Sequence, residues 1–175
     1  MRLLLIALLA FALAGCWAGL NLYSASDARP AIPPGLYKAT SDGEAERVYR
    51  VSILPNGLTQ FDTGEKKEIY GFVPLDAAGG SFVGWMNLDE DPAAAGETKE
   101  ANQVYALVVR QPRGGFIAYA PECRDEAGEI ARRSGATVEK GESNVCFFRT
   151  RASLEAALRL LPRDEGSALK LDPVR

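Results

Sequence analysis

The stretch RVYRVSILPNGLTQFD, residues 47–62, carries the clearest structural signal in the sequence. Tyr49, Val51 and Ile53 alternate with other residues, which is the period of a strand that buries one face. The tripeptide PNG then favours a tight turn, because Asn and Gly tolerate positive φ angles. Leu58–Asp62 follows as the returning partner. The stretch therefore predicts a β-hairpin.

Short runs of the same kind, each bounded by turn residues, extend along most of the chain. They lie at Leu36–Thr40, Ile69–Val73, Ser81–Leu88, Gln103–Arg110, Phe116–Ala120 and Val145–Arg149. Gln103–Arg110 is the most apolar of these runs, so we expect it at the centre of the sheet. The spacing predicts a mainly β domain over residues 35–161. We expect an antiparallel meander of about seven or eight strands, closed as a barrel or folded as a sandwich.

Two segments in the second half of the chain have helical patterns. Asp125–Arg133 begins with acidic residues and ends with basic ones, which suits the dipole of a helix. In Ser153–Leu161, the residues Leu154, Leu158 and Leu161 recur on one helical face. The sequence therefore predicts two short helices, of which the second is a C-terminal addition to the β domain.

Composition narrows the possible functions. The 175 residues include 47% hydrophobic and 25% charged residues, and the formal net charge is −3. These values are typical of a globular protein, and the mild acidity argues against nucleic acid as a partner. Histidine is absent, which removes the commonest general base and metal ligand. We predict no catalytic residue, no metal and no cofactor.

The first 16 residues have the pattern of an export signal. Met1-Arg2 precedes the apolar run LLLIALLAFALA, residues 3–14, and Leu13-Ala14-Gly15-Cys16 ends the segment. This ending resembles the lipobox of bacterial lipoproteins. The resemblance implies that residues 1–15 form a signal peptide, that the thiol of Cys16 receives a diacylglyceryl group, and that the chain is cut before Cys16. The protein would then be held in the cell envelope by its lipid.

Two other interpretations of the N-terminus stay open. Ala12-Leu13-Ala14 has the form of an ordinary A-x-A cleavage site, which would release a protein with a free Cys16. Alternatively, the uncharged residues 3–20 are long enough to span a membrane as an uncleaved anchor. In some Gram-negative bacteria, an Asp after the lipidated cysteine resembles a signal for inner-membrane retention. Trp17 stands there instead, which favours the outer membrane.

The segments on either side of the β domain are predicted to be irregular. Residues 16–34 contain Pro30, Pro33 and Pro34 and show no period, so we expect a lipidated Cys16 followed by a flexible tether. In this interpretation Trp17 is an interface residue at the start of the tether. Residues 162–175 are rich in charge and are predicted to form a loose tail.

The remaining two cysteines, Cys123 and Cys146, flank the first predicted helix. Export places them in an oxidising compartment, where we expect a disulfide between them. Such a bridge closes a loop of about 23 residues and contributes roughly 3 kcal/mol. Because the sequence contains no C-x-x-C motif, the pair is interpreted as structural, not redox-active.

Other motifs give weaker signals. Asp89-Glu90-Asp91 opens an acidic loop, but Ala93 and Ala94 break the calcium-loop pattern, and neighbouring carboxylates do not make a glycosidase pair. Ser167-Ala168-Leu169-Lys170 matches S-x-x-K without its companion motifs, so we interpret it as chance. Core packing is the expected role of the strand aromatics, which are Trp85, Tyr105, Phe116, Tyr119, Phe147 and Phe148.

These observations favour a membrane-anchored envelope lipoprotein whose domain binds a partner and does not catalyse a reaction. The expected partners are the lipid membrane, through the acylated N-terminus, and an envelope protein or a small apolar ligand. A lipocalin-like carrier is the main alternative, and it requires a cavity inside the β domain. A hydrolase without histidine is a third hypothesis.

Overall fold

The computed structural model describes residues 17–41, 45–88, 101–140, 144–163 and 168–174. The fold is mainly β with a C-terminal helix, which confirms the predicted class. The chain divides into two compact units, each assembled from separate segments. The first, called here the barrel unit, comprises residues 23–86, 106–119 and 163–175. The second, called here the disulfide unit, comprises residues 1–22, 87–105 and 120–162.

The barrel unit is a closed antiparallel barrel of eight strands. Its strands are β2 (Gly35–Thr40), β3 (Arg47–Ile53), β4 (Thr59–Asp62), β5 (Lys67–Pro74), β6 (Ser81–Asn87), β7 (Gln103–Arg110), β8 (Phe116–Tyr119) and β11 (Ala168–Pro173). Each strand pairs with two neighbours, in the order β6-β5-β4-β3-β2-β11-β8-β7, and pairing of β6 with β7 closes the ring. The barrel alternative of the sequence prediction is therefore correct.

The hairpin predicted over residues 47–62 is present as β3 and β4, with Val51 opposite Phe61. Gly57 has a φ of 85°, so the residue without a Cβ occupies the left-handed position of the turn. Both Val51 and Phe61 are buried, as the alternating pattern requires. The local sequence therefore sets both the turn and the face that this hairpin buries.

The C-terminal segment is a barrel strand, which corrects the prediction of a loose charged tail. Leu171 of β11 lies opposite Ala39 of β2 on one side and opposite Phe116 of β8 on the other. Asp172 lies opposite Lys38, so the negative charge of Asp172 faces a cross-strand charge of opposite sign. The order apolar–charged–apolar–charged from Leu169 to Asp172 is the strand period that the high charge concealed.

Residues 23–34 are also ordered, which corrects the prediction of a flexible tether. After a short 3-10 helix, Ala25–Asp27, the chain is held by contacts with the barrel strands. The Arg29 amide donates to the Phe72 carbonyl at 2.8 Å, and the Tyr37 hydroxyl donates to the Pro33 carbonyl at 3.1 Å. Ile32 is 1% exposed. The segment shows no hydrophobic period because it is buried as irregular backbone, not as a strand or a helix.

The disulfide unit contains three short strands, the start of β7 and two helices. β1 (Trp17–Gly19) pairs in parallel with β10 (Val145–Phe148) and antiparallel with β7. β9 (Thr137–Glu139) pairs antiparallel with β10. The helices are α1 (Asp125–Arg133), as predicted, and α2 (Arg151–Leu160), which begins two residues before the predicted start. Within the described residues, no helix is long and apolar enough to cross a membrane.

Trp17 is a core residue of the disulfide unit, contrary to the prediction that it begins a tether. Its side chain is 0% exposed, and its ring lies 5.1 Å from that of Phe148. Its backbone is aligned with Cys146 in the parallel pair. Truncating a buried tryptophan costs about 3–5 kcal/mol. Because its partner strand lies more than 120 residues away in the sequence, no local pattern marks β1 as a strand.

Substitution of Gly71 tests the packing of the barrel wall. An ideal Cβ at Gly71 would lie 2.1 Å from Cε2 of the buried Trp85, so Gly71→Ala must displace the indole. We expect the free energy of unfolding in urea to fall by about 1–3 kcal/mol. Gly35→Ala is the matched control, because its Cβ meets Tyr37 Cε2 at an ordinary 3.6 Å. Equal losses in the two variants would contradict the described packing.

Candidate functional site

The barrel interior is the first candidate, because a carrier would hold its ligand there. Aromatic rings contact one another inside it: the centroids of Tyr49 and Phe61 are 5.9 Å apart, and those of Phe61 and Tyr70 are 5.4 Å apart. Tyr37 meets Phe116 edge-on at 6.4 Å. Burial raises the pKa of the Tyr37 hydroxyl above its usual value. These rings occupy part of the space that an eight-stranded barrel encloses.

Packing is also close between β5, β6 and β7. A Cβ at Gly84 would lie 3.1 Å from Val108 Cγ2 and 3.4 Å from Phe72 Cε1, so these side chains occupy the space that a residue larger than glycine would need. Arg110 packs its guanidinium 5.8 Å from the ring centroids of both Phe82 and Phe116. Its Nη2 donates to the Ala31 carbonyl at 3.3 Å, which ties residues 23–34 to this part of the barrel.

Two buried side-chain polar groups of the barrel unit make no hydrogen bond within the described part of the chain: the Trp85 indole N–H and the Thr59 hydroxyl. Thr59 is 0% exposed, and its Oγ1 makes no hydrogen bond within the described part of the chain. It lies on the same face of β4 as Phe61, where the burial alternates. An unpaired buried hydroxyl costs roughly 1–3 kcal/mol, so this position is suited to a polar atom of a ligand or to a water molecule.

The second candidate is an open groove at the turn between β7 and β8. Its volume is about 340 Å³, which is at the lower end for small-molecule sites. A Cβ at Gly115 would lie 2.8 Å from the Leu171 carbonyl oxygen, so glycine is required where the turn meets β11. The groove is lined by both charges and apolar surface, from Gln111, Pro112, Arg113, Gly115, Phe116, Ile117, Lys170 and Asp172. This mixture suits a side chain of a protein partner.

The predicted disulfide between Cys123 and Cys146 is present. The two Cα atoms are 5.1 Å apart, and the bridge joins the segment before α1 to β10. It lies beside β1, because Cys146 is aligned with Trp17. The bridge is therefore a structural part of the disulfide unit, as the sequence indicated.

The other predicted residues fall into two groups. Cys16, the acidic cluster Asp89-Glu90-Asp91 and Ser167 lie outside the described residues, whereas Lys170 lies within β11 between β2 and β8. The predicted core role of the aromatics is confirmed, since all six are less than 9% exposed: Trp85, Tyr105, Phe116, Tyr119, Phe147 and Phe148. In the described part of the chain, no group of three or more acidic or cysteine side chains is placed to hold a metal ion.

Sequence reasoning missed Thr59, Arg110 and the groove. Thr59 and Arg110 are ordinary residues in strands, and only the closed barrel shows that one is buried without a partner and the other packs on two rings. The groove joins residues 111–117 to residues 170–172. The alternation of β11, if recognised, would have predicted that these two segments lie close together, but it would not have predicted the shape of the groove.

The two candidate sites are therefore the interior of the eight-stranded barrel and the groove at the β7–β8 turn. Comparisons of the chain with protein-family models, with curated proteins and with solved structures find no match.

Asp76, in the turn between β5 and β6, predicts a dependence of stability on pH. Hydrogen bonds from the Ser81 hydroxyl at 2.5 Å and the Gly80 amide at 3.1 Å hold the pKa of its carboxyl below the usual value. The group therefore stabilises the fold above its unfolded pKa of about 4, and this contribution is lost as the pH falls through the lower folded pKa.

We expect Asp76→Asn to reduce the unfolding free energy at pH 6 and to have a smaller effect towards pH 3. Urea titrations of both proteins across this range measure the difference. Ser81→Ala is the control, because it removes the hydrogen bond that lowers the pKa most and should also weaken the pH dependence. A difference that grows as the pH falls would contradict the assignment.

Proposed function

We propose that this protein is a bacterial envelope lipoprotein, anchored by a diacylglyceryl group on Cys16, whose barrel binds a protein partner. The observation that carries the anchor is the Cys123–Cys146 bridge, which uses two of the three cysteines. Cys16 is the third, and it stands directly after Leu13-Ala14-Gly15 at the end of the apolar run. A disulfide also suits an exported protein. The absence of Asp after Cys16 favours the outer membrane.

Binding at the surface is the function that the barrel packing supports best. The contacts among Tyr49, Phe61 and Tyr70, and the packing of Phe72 and Val108 against Gly84, fill interior space. A partner would then bind the outer surface of the barrel, where the groove at the β7–β8 turn presents apolar and charged groups together. An envelope protein is the partner that suits such a surface.

A second function, carriage of a small apolar ligand, is favoured by the closed barrel and by Thr59. Eight strands enclose a space that either side chains or one small ligand can fill. The buried Thr59 Oγ1 lacks a hydrogen-bond partner among the described residues, and a ligand oxygen would supply one. This lipocalin-like function is an alternative for the same barrel.

Intact mass spectrometry of protein purified from bacterial membranes tests the anchor. We expect the chain to begin at Cys16 with an added diacylglyceryl group, and Cys16→Ser to lack both the lipid and stable membrane attachment. The matched control replaces Cys123 and Cys146 together by Ser. It should lose about 3 kcal/mol of stability but keep the lipid. A native chain that retains Gly15, or that carries an unmodified Cys16, would refute the anchor.

Titration with a fluorescent apolar dye separates the two functions of the barrel. A barrel that binds partners by its surface should show no saturable binding at one site per chain. A carrier should show such binding, and Thr59→Val should change the affinity for a dye that has a hydrogen-bonding group. Saturable binding that this substitution alters would overturn surface binding as the main function.

A further inference from the structure

One end of the barrel unit is closed by residues 28–34, called here the strap. The strap is hydrogen-bonded to Phe72 of β5, Arg110 of β7 and Tyr37 of β2, three strands that are not neighbours in the ring. These residues lie near the end of β5, at the end of β7 and near the start of β2, which is one end of an antiparallel barrel. Ile32 of the strap is 1% exposed, so this end is packed.

Strand register shows which side chains face the barrel interior. In β2 the buried Tyr37 and Ala39 alternate with exposed residues, so they face inward. Directly paired residues of an antiparallel ladder point to the same side of the sheet. Leu171 of β11 is aligned with Ala39, and Phe116 of β8 with Leu171, so the inward face continues through them. Phe116, at the start of β8, is 2% exposed, so the interior is packed next to the strap.

Two neighbouring strands are more exposed inside the barrel than outside it. In β7, Ala106 faces inward because it lies four residues before Arg110, which is aligned with Phe116. In β8, Ala118 faces inward two residues after Phe116. Both alanines are partly exposed. Their outward-facing neighbours are buried: Tyr105 at 4%, Leu107 at 2%, Ile117 at 6% and Tyr119 at 7% exposed. Solvent therefore reaches the interior of the barrel beside these strands.

Further inward-facing side chains are partly exposed towards the end of the barrel opposite the strap. Glu68 is aligned with the buried Phe61, and Tyr70 follows on the same face of β5. Leu169 of β11 is aligned with Ala118. The region that these side chains surround is called here the open half, and described strands form its whole lining. The partly exposed residues that line it are Glu68, Tyr70, Met86, Ala106, Ala118 and Leu169.

The lining of the open half is mostly apolar. Met86 belongs to it because Gly84, two residues earlier, lies against Val108, which is aligned with Ala118. Ala106 and Ala118 are small, so two adjacent strands leave space that larger side chains would occupy. Burial of apolar surface in such a space contributes favourably to binding. The open half therefore suits a small apolar molecule.

Glu68 adds one carboxylate to this lining. Its Oε2 accepts from the Tyr70 hydroxyl at 3.1 Å, and its Oε1 lies 3.2 Å from Lys66 Nζ. The Glu68 side chain is 13% exposed and that of Lys66 is 44% exposed, so the carboxylate is the deeper of the two charges. A carboxylate has about four lone-pair sites, so Glu68 can accept a further hydrogen bond from a ligand.

We propose that the open half is a ligand pocket, and that its ligand is a small, mostly apolar molecule with a hydroxyl or amino group that donates to Glu68. This inference rests on the carrier function, the second function proposed above, and it locates the ligand in the half of the barrel away from the strap. Contact with Tyr70, Met86 and Leu169 supplies affinity, and the carboxylate fixes the orientation of the ligand. Because the strap closes the other end, the ligand enters where β5, β7 and β11 begin.

Fluorescence titration with 1-aminoanthracene, an apolar dye with one amino group, tests the pocket. Residues 16–175 with Cys16→Ser include every described residue and carry no lipid. We expect saturable binding at one site per chain, weakened at least tenfold by Ala118→Leu, because the longer side chain fills the space. Ala77→Leu is the matched control. Ala77 is exposed in the turn between β5 and β6, at the strap end, so this substitution should leave the affinity unchanged.

Urea unfolding of the same variants tests the open space without a ligand. The pocket should accommodate the added leucine, so the midpoint of Ala118→Leu should not fall below that of the native chain. Gly84→Ala is expected to lower the midpoint, because its Cβ would lie 3.1 Å from Val108 Cγ2. A fall with Ala118→Leu as large as that with Gly84→Ala would overturn the pocket.

Displacement of the dye identifies the class of ligand. Octan-1-ol should displace it at a several-fold lower concentration than octanoate, because the carboxylate of octanoate would meet that of Glu68. Glu68→Gln should remove this difference. Equal displacement of the dye from the native chain by the two compounds would overturn the assignment of a donor group.

The outcomes also separate the pocket from the carrier function on which it rests. If the native chain shows no saturable binding, both the pocket and the carrier function are wrong. If saturable binding is unchanged in Ala118→Leu, the pocket alone is wrong, because the dye then binds elsewhere. Binding that Ala118→Leu weakens and Ala77→Leu leaves unchanged supports both.

Discussion

Closure of the barrel unit depends on β11, the last described strand of the chain. It pairs with β2 on one side and β8 on the other, and neither strand has another described partner on that side. Without β11, two strand edges would be open, with unpaired backbone groups. β2–β8 already form one continuous sheet through the pairing of β5 with β6 and of β6 with β7, and β11 closes this sheet by joining its two ends.

A second constraint acts on the N-terminus of the described chain. Trp17 packs on Phe148, and β1 pairs with β10 next to the Cys123–Cys146 bridge. The disulfide and the buried indole thus stabilise the same small set of strands.

Local patterns were sufficient to predict the hairpin strands and the first helix. The ends of β3, β7 and α1 agree with the alternation of Arg47–Ile53 and Gln103–Arg110 and with the charge order of Asp125–Arg133. Period and capping act over a few residues, so they can be read from sequence. β1 and β9 are three residues long and depend on β10 for pairing, and a pattern so short carries no period.

The sequence by itself determined the mainly β class, the hairpins, the two helices and the pairing of Cys123 with Cys146. Each of these follows from residues close together or from the chemistry of one residue type. Only the tertiary structure decided that the sheet closes as a barrel, that Trp17 is core, and that Thr59 is buried without a partner. These features arise where distant segments meet, because burial and strand pairing depend on neighbours that no local pattern specifies.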